Sequence, residues 1–569
     1  MTDQRLTILI LGGYGTFGGR LARLLDDDAR LTLIVAGRSR EKSAAFIATL
    51  PGRATKIAAA IDREGDLKAQ IAAFQPDLVV DASGPFQAYG TDPYRVVGTC
   101  LALGICYTDL ADGSAFVNGI GQFEEPARAR GIFVLAGASS FPVLTVAVIR
   151  HLSRDLTRID SVTGGIAPSP YAGVGLNVIR AIAGYAGQPI LLVRDGRPQR
   201  GYPFTETKRY TVAPPGRLPL HNIRFSLVDV PDLRVLPVLW PEVQSVWIGA
   251  GPVPEILHRA LSVLAWLVRL KLLPSLLPLA RVFHLVSNIL RWGEHRGGMF
   301  VAIGGSDSTG QPIERSWHLL AEGDDGPFIP SVAVQGLVLR WLAGDRPKAG
   351  ARPATGDLEI DDYARLFANR TIFTGYRQDW PVNESQPVHQ RVLGEAWRLL
   401  PDPIRIMHDC RDELRAAGVA QIDRGTGLLS RLVATLIGFP AAGNDVPVTV
   451  TFRRNNEREI WTRRFGAKSF SSVQSPGRGR SQRLLSERFG PLTFDMALVI
   501  NDARRRMDLI VRRMQLLGLP LPACFLPRAV AYETADDGRF NFHVEIAHPL
   551  CGLIVRYRGW LEPIASAAS

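Results

Sequence analysis

The sequence predicts an α/β protein in three parts: a doubly wound parallel sheet, a mixed α/β domain, and an α+β domain with an antiparallel sheet. Three observations indicate this order. Apolar strands alternate with helical segments through residue 150, a pattern typical of parallel βαβ units. Residues 151–345 mix strand and helix patterns. Beyond residue 385, strands alternate apolar and polar side chains, as expected of antiparallel strands with one buried face.

The first strand runs into a glycine-rich turn. Leu6–Leu11 is apolar, and the turn that follows it leads into an amphipathic segment, Arg20–Leu25. In a G-x-G-x-x-G turn the glycines permit a tight bend, close approach of a pyrophosphate, and close packing of the next helix. We therefore predict a Rossmann dinucleotide-binding domain over residues 1–150. The turn residues expected to bind the dinucleotide are Gly12, Gly13, Gly15, Thr16, Phe17 and Gly18.

The end of the second strand indicates which dinucleotide binds. NAD-specific folds place an acidic residue about 20 residues beyond the glycines. Here the strand Leu31–Ala36 ends near Arg38 and Ser39, and the nearest carboxylate, Glu41, lies beyond it. A guanidinium suits a 2′-phosphate through paired hydrogen bonds. The predicted cofactor is NADP, with Arg38 and Ser39 at its ribose phosphate.

Two further strand ends complete the predicted cofactor site. Asp62 follows the short strand Ile57–Ile61, where such folds often meet the adenine. The continuous apolar run Asp77–Asp81 predicts a buried parallel strand. Ligands of open α/β sheets lie at the carboxyl ends of strands. The loop expected to bind there contributes Ser83, Gly84 and Pro85.

Three loops are expected to surround the nicotinamide: residues 83–90, 107–112 and 137–142. Several of their side chains can donate or accept protons, namely Tyr89, Tyr107, Asp109, Asp112 and Ser140. Each could equally hold a turn in place, so the sequence assigns no catalytic acid. The coenzyme carries the hydride chemistry, and the protein positions the acceptor.

Composition and charge narrow the function classes. The net charge is +12, and residues 450–515 hold 15 Lys or Arg against six Asp or Glu. Such a basic segment could bind an anionic membrane or an acidic substrate, but no zinc-finger or RNP signature favours nucleic acid.

The cysteines are scattered along the chain, which favours neither a disulfide framework nor a metal site. They are Cys100, Cys106, Cys410, Cys524 and Cys551. With no secretion leader at its start, we expect a cytoplasmic protein.

Residues 254–292 are unusually apolar but carry recurring basic residues. No run of about 18 uncharged apolar residues occurs, so a membrane-spanning helix is not predicted. Val282, Val286 and Ile289 share one face of a predicted helix. Two amphipathic helices of this kind could lie at the inner face of the membrane, in a homodimer interface, or in the core of the domain.

Residues 346–385 are predicted to form a linker, because their first part is rich in Pro, Gly and Ala. The third domain, residues 386–569, then contains predicted helices over 388–400 and 427–437. A helix packed against a curved sheet could enclose an apolar ligand or lipid.

Alternation places His543 and Glu545 on one sheet face near Arg556 and Arg558. These residues are a candidate acid–base group, and the other interpretation is that they form a solvent-exposed face. The pair His408 and Asp409 has the same two interpretations.

Residues 5–355 together resemble the saccharopine dehydrogenase-like reductases. The resemblance rests on the turn at 13–18, on 36–38, on 81–90, on 107–109 and on 323–330. It implies an NADP-dependent oxidoreductase with a mixed α/β substrate domain. The apolar insert and the extra C-terminal domain depart from the lysine-pathway enzymes. Residues 396–563 resemble a bacterial domain of unknown function that occurs behind such reductases.

The expected activity is hydride transfer from NADPH to a hydrophobic acceptor, such as a lipid, isoprenoid or polyketide chain. Some relatives of the resembled family are enoyl reductases of this type. Two alternatives remain open: an amino-acid or imine reductase, and a non-catalytic membrane-surface protein that binds nucleotide and lipid.

Overall fold

The computed structural model describes residues 4–522 and 525–564, without the side chains of residues 436 and 437. Cys524 lies outside the described residues. The chain divides into two compact units, one of residues up to 208 with 224–374, and one of residues 209–223 with the chain from 375 onward.

The elements through residue 152 alternate strand and helix. They are β1 (Leu6–Leu11), α1 (Thr16–Leu25), β2 (Leu31–Gly37), α2 (Arg40–Ile47), β3 (Thr55–Ala60), α3 (Leu67–Ala72), β4 (Leu78–Asp81), α4 (Arg95–Leu103), β5 (Cys106–Asp109), α5 (Ser114–Gly119), α6 (Glu124–Ala129), β6 (Phe133–Ala136) and α7 (Thr145–Leu152).

Longer strands follow as far as residue 380. The elements are β7 (Leu156–Ala167), α8 (Leu176–Tyr185), β8 (Ile190–Arg194), β9 (Arg197–Gly201), β10 (Thr207–Val212), β11 (Leu220–Leu227), α9 (Asp232–Leu239), β12 (Ser245–Ala250), α10 (Glu255–Arg269), α11 (Ala280–Ile289), β13 (Arg296–Asp307), β14 (Pro312–Glu322), α12 (Ile329–Leu342), β15 (Gly350–Pro353), α13 (Ile360–Phe367) and β16 (Ile372–Trp380).

The remaining elements are mostly strands. They are α14 (Val388–Leu393), α15 (Asp402–His408), β17 (Glu413–Arg424), α16 (Leu428–Ile437), β18 (Gly443–Asn455), β19 (Arg458–Phe465), β20 (Lys468–Pro476), β21 (Leu485–Phe489), β22 (Leu492–Asn501), β23 (Arg506–Leu516), β24 (Leu519–Pro520), β25 (Arg528–Thr534), β26 (Phe540–His548) and β27 (Gly552–Pro563).

The first sheet is parallel, in the order β15-β6-β5-β4-β1-β2-β3. Its central strand β1 is apolar and buried on both faces, and Leu11 lies opposite Ala36 of β2 and Asp81 of β4. The three carboxyl ends therefore meet at one edge. The strand order reverses between β1 and β4, which creates the crevice where such sheets bind ligands. The predicted doubly wound sheet is confirmed.

Residues 346–385 do not form the predicted linker. Residues 350–353 form β15, which pairs in parallel with β6 and buries Ala351 to 3% exposure. Helix α13 and strand β16 follow. The prediction was wrong here because a Pro- and Gly-containing strand can still pair at a sheet edge, and a distant pairing partner leaves no mark on local composition.

The second sheet has mixed direction, in the order β10-β11-β12-β7-β13-β14-β16. Strand β7 pairs in parallel with β12 and antiparallel with β13. The two amphipathic helices predicted within 254–292 form as α10 and α11. Among the described residues, no helix is long and apolar enough to span a membrane.

Strands β17–β27 form one antiparallel sheet, in the order β22-β21-β20-β19-β18-β17-β27-β26-β25-β23-β24. An additional pairing of β22 with β23 closes it. Alternate residues of each strand face the interior, where Phe452 and Phe540 are buried. Ile404 and Met407 of α15 join the same apolar core. The predicted α+β class with an antiparallel sheet is confirmed.

Candidate functional site

The glycine turn leaves the N-terminus of α1 open. Gly12 has φ of +72°, which favours glycine, and the Gly15 amide donates to its carbonyl at 2.8 Å. A Cβ at Gly18 would lie 2.3 Å from the Gly12 carbonyl oxygen, so only glycine permits this close packing. In this described turn no side chain caps the helix and its first turn holds no acidic residue. First-turn amides without partners in the helix form a site for anions such as a pyrophosphate.

Arg38 lies exposed immediately beyond the carboxyl end of β2. Within the described residues no ion pair engages it. Ser39 caps α2, since its hydroxyl accepts from the Lys42 amide at 3.2 Å, and it donates to Glu41 at 2.7 Å. The ring of Tyr14 lies over Gly37, where a Cβ would come within 2.4 Å of it. Arg38 is thus an available cation at this strand end, and Arg40 and Lys42 are exposed close behind it.

The loop after β4 is held by a buried polar group. The Ser83 hydroxyl donates to the Asp81 carboxylate at 2.5 Å. The Tyr89 hydroxyl lies 2.8 Å from the Ser83 hydroxyl. The guanidinium carbon of Arg63 lies 3.2 Å from the centre of the Tyr89 ring. Burial raises the pKa of Tyr89, and the neighbouring Asp81 adds to that effect. Tyr89 therefore holds its proton, and its contacts fix the loop.

Three other predicted cofactor positions, Gly84, Pro85 and Asp62, border the same edge. The Gly84 carbonyl accepts from the Asn177 side chain at 2.9 Å, and Pro85 follows it through a cis peptide bond. Asp62 is exposed just beyond β3, and its carboxylate accepts from the Glu64 amide at 3.1 Å. Asp62 therefore lies at the strand end where the adenosine contact is predicted.

The proposed proton-transfer candidates differ in accessibility. Asp109 is fully buried and accepts from the backbone amides of Ala111 and Gly137 at 2.9 and 2.7 Å. Burial raises the pKa of Asp109 to about 7, although those two amides oppose the shift. Tyr107 and Ser140 are also buried. Asp112 is exposed and accepts from Gln87 at 3.1 Å, which ties two of the three predicted loops together.

Sequence reasoning missed the residues after β7 and in α8 that lie near the cofactor site. Arg20 of α1 donates to the Ala172 carbonyl at 2.7 Å, and a Cβ at Gly175 would lie 2.6 Å from the Thr16 hydroxyl. Burial raises the pKa of Tyr185, at the end of α8, and the nearby Asp112 and Asp229 add to the effect. The sequence signal for this contact was the pair of glycines in segment 170–177, which come directly before a helix.

The predicted polar group on β26 faces outward. Glu545 lies opposite Arg556 and accepts from it at 2.7 Å, while His543 stacks on Tyr532 with ring centres 4.8 Å apart. The solvent-face interpretation fits these contacts. His408 is fully buried, and its partner is Glu533, at 2.6 Å, rather than Asp409. The separation of 125 residues hid this pair from sequence reasoning.

Part of the basic charge in residues 450–515 is paired within the second unit. Arg453 bonds Glu413 at 2.9 Å, Arg463 bonds Glu487 at 2.9 Å, and Arg506 bonds Asp508 at 2.9 Å. These ion pairs make the electrostatic potential of this segment less positive than its count of basic residues suggests.

Two family profiles match parts of the chain. Residues 8–133 match the saccharopine dehydrogenase NADP binding domain, and residues 400–561 match a domain of unknown function, DUF4166. These matches confirm the resemblances drawn from the sequence, and the first supports an oxidoreductase. A search of curated proteins found no significant match.

Several solved structures match the chain at low similarity. Saccharopine dehydrogenase from Saccharomyces cerevisiae is 14% identical with a TM-score of 0.47, over 66% of this chain and 99% of that one. Biliverdin reductase from Synechocystis sp. PCC 6803, in complex with biliverdin and NADP+, is 14% identical with a TM-score of 0.29, over 64% and 96%. A meso-dapdh mutant from Clostridium tetani E88, with DAP, is 14% identical with a TM-score of 0.31, over 63% and 96%. Similarities of this size carry no argument about the substrate.

Proposed function

We propose that the protein is an NADP-dependent oxidoreductase whose coenzyme lies along the carboxyl edge of the first sheet. The observation that carries the proposal is the juxtaposition of an open helix N-terminus at Gly15 with an exposed Arg38 at the end of the neighbouring strand. Arg38 has no ion-pair partner among the residues that the structure describes. The match of residues 8–133 to an NADP binding domain supports it. When bound, the coenzyme supplies hydride transfer.

The chain's own residues bind and orient the coenzyme in this proposal. First-turn amides of α1, from Thr16 to Gly18, receive the pyrophosphate. Arg38 binds the 2′-phosphate through paired N–H groups. The loop 83–85, held by hydrogen bonds to Tyr89 and Asn177, borders the crevice.

Replacing Arg38 by Ala tests the proposed cofactor. Charge-assisted hydrogen bonds are worth about 2 kcal/mol, so NADPH binding should weaken about 30-fold while NADH binding changes little. Quenching of protein fluorescence by each coenzyme measures both constants. The matched control is Arg53→Ala, because Arg53 is an exposed arginine before β3, at the opposite edge of the sheet. Equal losses for both coenzymes would remove the NADP assignment.

We further propose that the acceptor is hydrophobic. Support comes from apolar surface that the fold leaves exposed: Ile256, Val263 and Trp266 on one face of α10, and Leu285 and Ile289 on α11, are 42–67% exposed. The alternative, an amino-acid or imine reductase, predicts the reverse preference. Oxidation of NADPH by the purified protein with a panel of enoyl lipids and of cyclic imines separates the two, and turnover of imines alone would refute the hydrophobic acceptor.

The same surface supports peripheral membrane binding as a second candidate role. Exposed apolar residues of α10 and α11 are interleaved with Arg259, Arg269 and Arg281, as in helices that lie in a membrane interface. A homodimer interface would also cover it. Flotation with anionic vesicles, lost at high salt, would favour the membrane. A concentration-dependent dimer that does not float would favour the subunit interface.

A further inference from the structure

The closed sheet of the second unit encloses a cavity of about 590 Å³. This lies within the usual range of about 300–1,000 Å³ for small-molecule sites. Its walls are mostly aromatic and aliphatic side chains from inward positions of the strands, among them Phe452, Phe465, Phe494, Met496, Phe542 and Ile546. The cavity is therefore large enough and apolar enough for a hydrocarbon molecule.

One end of the cavity reaches the surface. The lining residue Leu516, at the end of β23, is 41% exposed, and Pro491 in the turn before β22 is also exposed. The Leu517 amide donates to the Pro491 carbonyl at 2.8 Å, so the two turns meet beside this opening. An apolar molecule can enter here without crossing the sheet.

Polar groups are gathered on part of the wall. The Arg463 guanidinium bonds Glu487 at 2.9 Å and the Ser472 hydroxyl at 2.8 Å, and its side chain is 12% exposed. Because Glu487 pairs with Arg463, this group presents no net charge to the cavity.

Glu533, also on the wall, pairs with His408 at 2.6 Å. Burial raises the pKa of Glu533 to about 7 and lowers that of His408, so both groups are mostly in their neutral forms at pH 6. The ring of His389 stacks on His408 with centres 3.8 Å apart and is itself fully buried. At pH 6 this second polar group is therefore neutral as well.

Gln474 supplies a hydrogen-bond acceptor that the protein does not use. It lines the cavity and is 1% exposed, and its carbonyl oxygen Oε1 has no partner among the described residues. A buried polar atom without a partner costs about 1–3 kcal/mol, a cost that a bound donor would remove. A ligand hydroxyl is a donor of the required kind.

We propose that this cavity binds one uncharged, largely hydrocarbon molecule that carries a hydroxyl group. The hydrocarbon packs against the aromatic wall, and the hydroxyl donates to Gln474. An ionised head group would be buried beside a neutral polar wall without a free counter-charge, which is costly. This binding site does not depend on the redox function proposed for the first unit.

Calorimetric titration of the whole chain at pH 6 with 1-dodecanol, dodecanoate and dodecylamine tests the ligand class without any substitution. The alcohol should bind saturably at one molecule per chain and at least tenfold more tightly than either ion. Failure of the alcohol to bind, or tighter binding of the carboxylate or the amine, would overturn the proposal.

One matched pair of variants and one single variant place the ligand. Ala531 faces the cavity, while the adjacent Val530 faces outward and is 52% exposed. Ala531→Phe should reduce dodecanol binding at least tenfold, and Val530→Phe should leave it unchanged. Gln474→Leu should reduce it about tenfold, as expected for one hydrogen bond in a buried site. Equal effects of the two Phe substitutions, or unchanged binding in Gln474→Leu, would contradict the assigned position.

Discussion

Replacing Glu533 by Gln should change how the stability of the second unit depends on pH. Burial raises the pKa of Glu533 to about 7, with Arg463 and His389 opposing the shift and Glu487 adding to it. In an unfolded chain a glutamate titrates near 4.3. The folded state therefore binds more protons between these values, and the stability that this proton contributes is lost as pH rises from about 4.3 through about 7.

The size of the effect follows from the shift. A difference of between two and three pKa units corresponds to about 3 kcal/mol, most of which is lost between pH 5 and pH 8. The Gln variant does not titrate at this position. As pH rises from 5 to 8, its unfolding free energy should therefore increase by about 2–3 kcal/mol relative to that of the wild type. Burial lowers the pKa of His408 to about 3, and this works in the opposite direction. Because burial causes the His408 shift and is common to both proteins, comparing them removes most of the His408 contribution.

Guanidinium unfolding followed by tryptophan fluorescence at pH 5, 6, 7 and 8 measures the difference, and Trp461 lies beside His408 with ring centres 5.4 Å apart. The control is Glu562→Gln, since Glu562 is a glutamate of the same unit whose side chain is 51% exposed. Its pH profile should run parallel to the wild type. A parallel profile for Glu533→Gln would refute the reasoning.

Three further changes test other parts of the structure. Gly18→Ala should weaken NADPH binding more than tenfold, because the added Cβ meets the Gly12 carbonyl. The control Gly98→Ala should not weaken it, because a Cβ there meets nothing within 4 Å. Titration with NADPH measures both variants. Asp109→Ala should lower stability by about 2 kcal/mol by leaving two buried amides unpaired, a loss visible in the melting temperature. Ile289→Ser should change stability by less than about 0.5 kcal/mol, because Ile289 is 67% exposed, yet reduce vesicle flotation if the helix meets a membrane.

The first sheet could be predicted closely because its signals are local. The apolar run Leu6–Leu11 matches β1 residue for residue, and Leu31–Ala36 falls one residue short of β2. A buried parallel strand must be apolar on both faces, so its limits are visible in the sequence. The position of Arg38 beyond β2 follows from the same limits.

The parts that sequence reasoning missed depend on distant contacts. Strand β15 has a partner more than 200 residues earlier, and Glu533 meets His408 across 125 residues. The charged Arg463 faces the interior because alternation along β19 places it there with Trp461. Composition favours a solvent position for an arginine, so only the closed sheet and the neighbouring Glu487 explain its burial.

The most direct test of the central claim is calorimetric titration of the wild-type chain with NADPH and with NADH. An exposed guanidinium at the end of β2 beside an open helix N-terminus predicts one coenzyme per chain, with NADPH bound at least tenfold more tightly than NADH. Equal affinity for the two coenzymes, or no binding of either, would contradict the account.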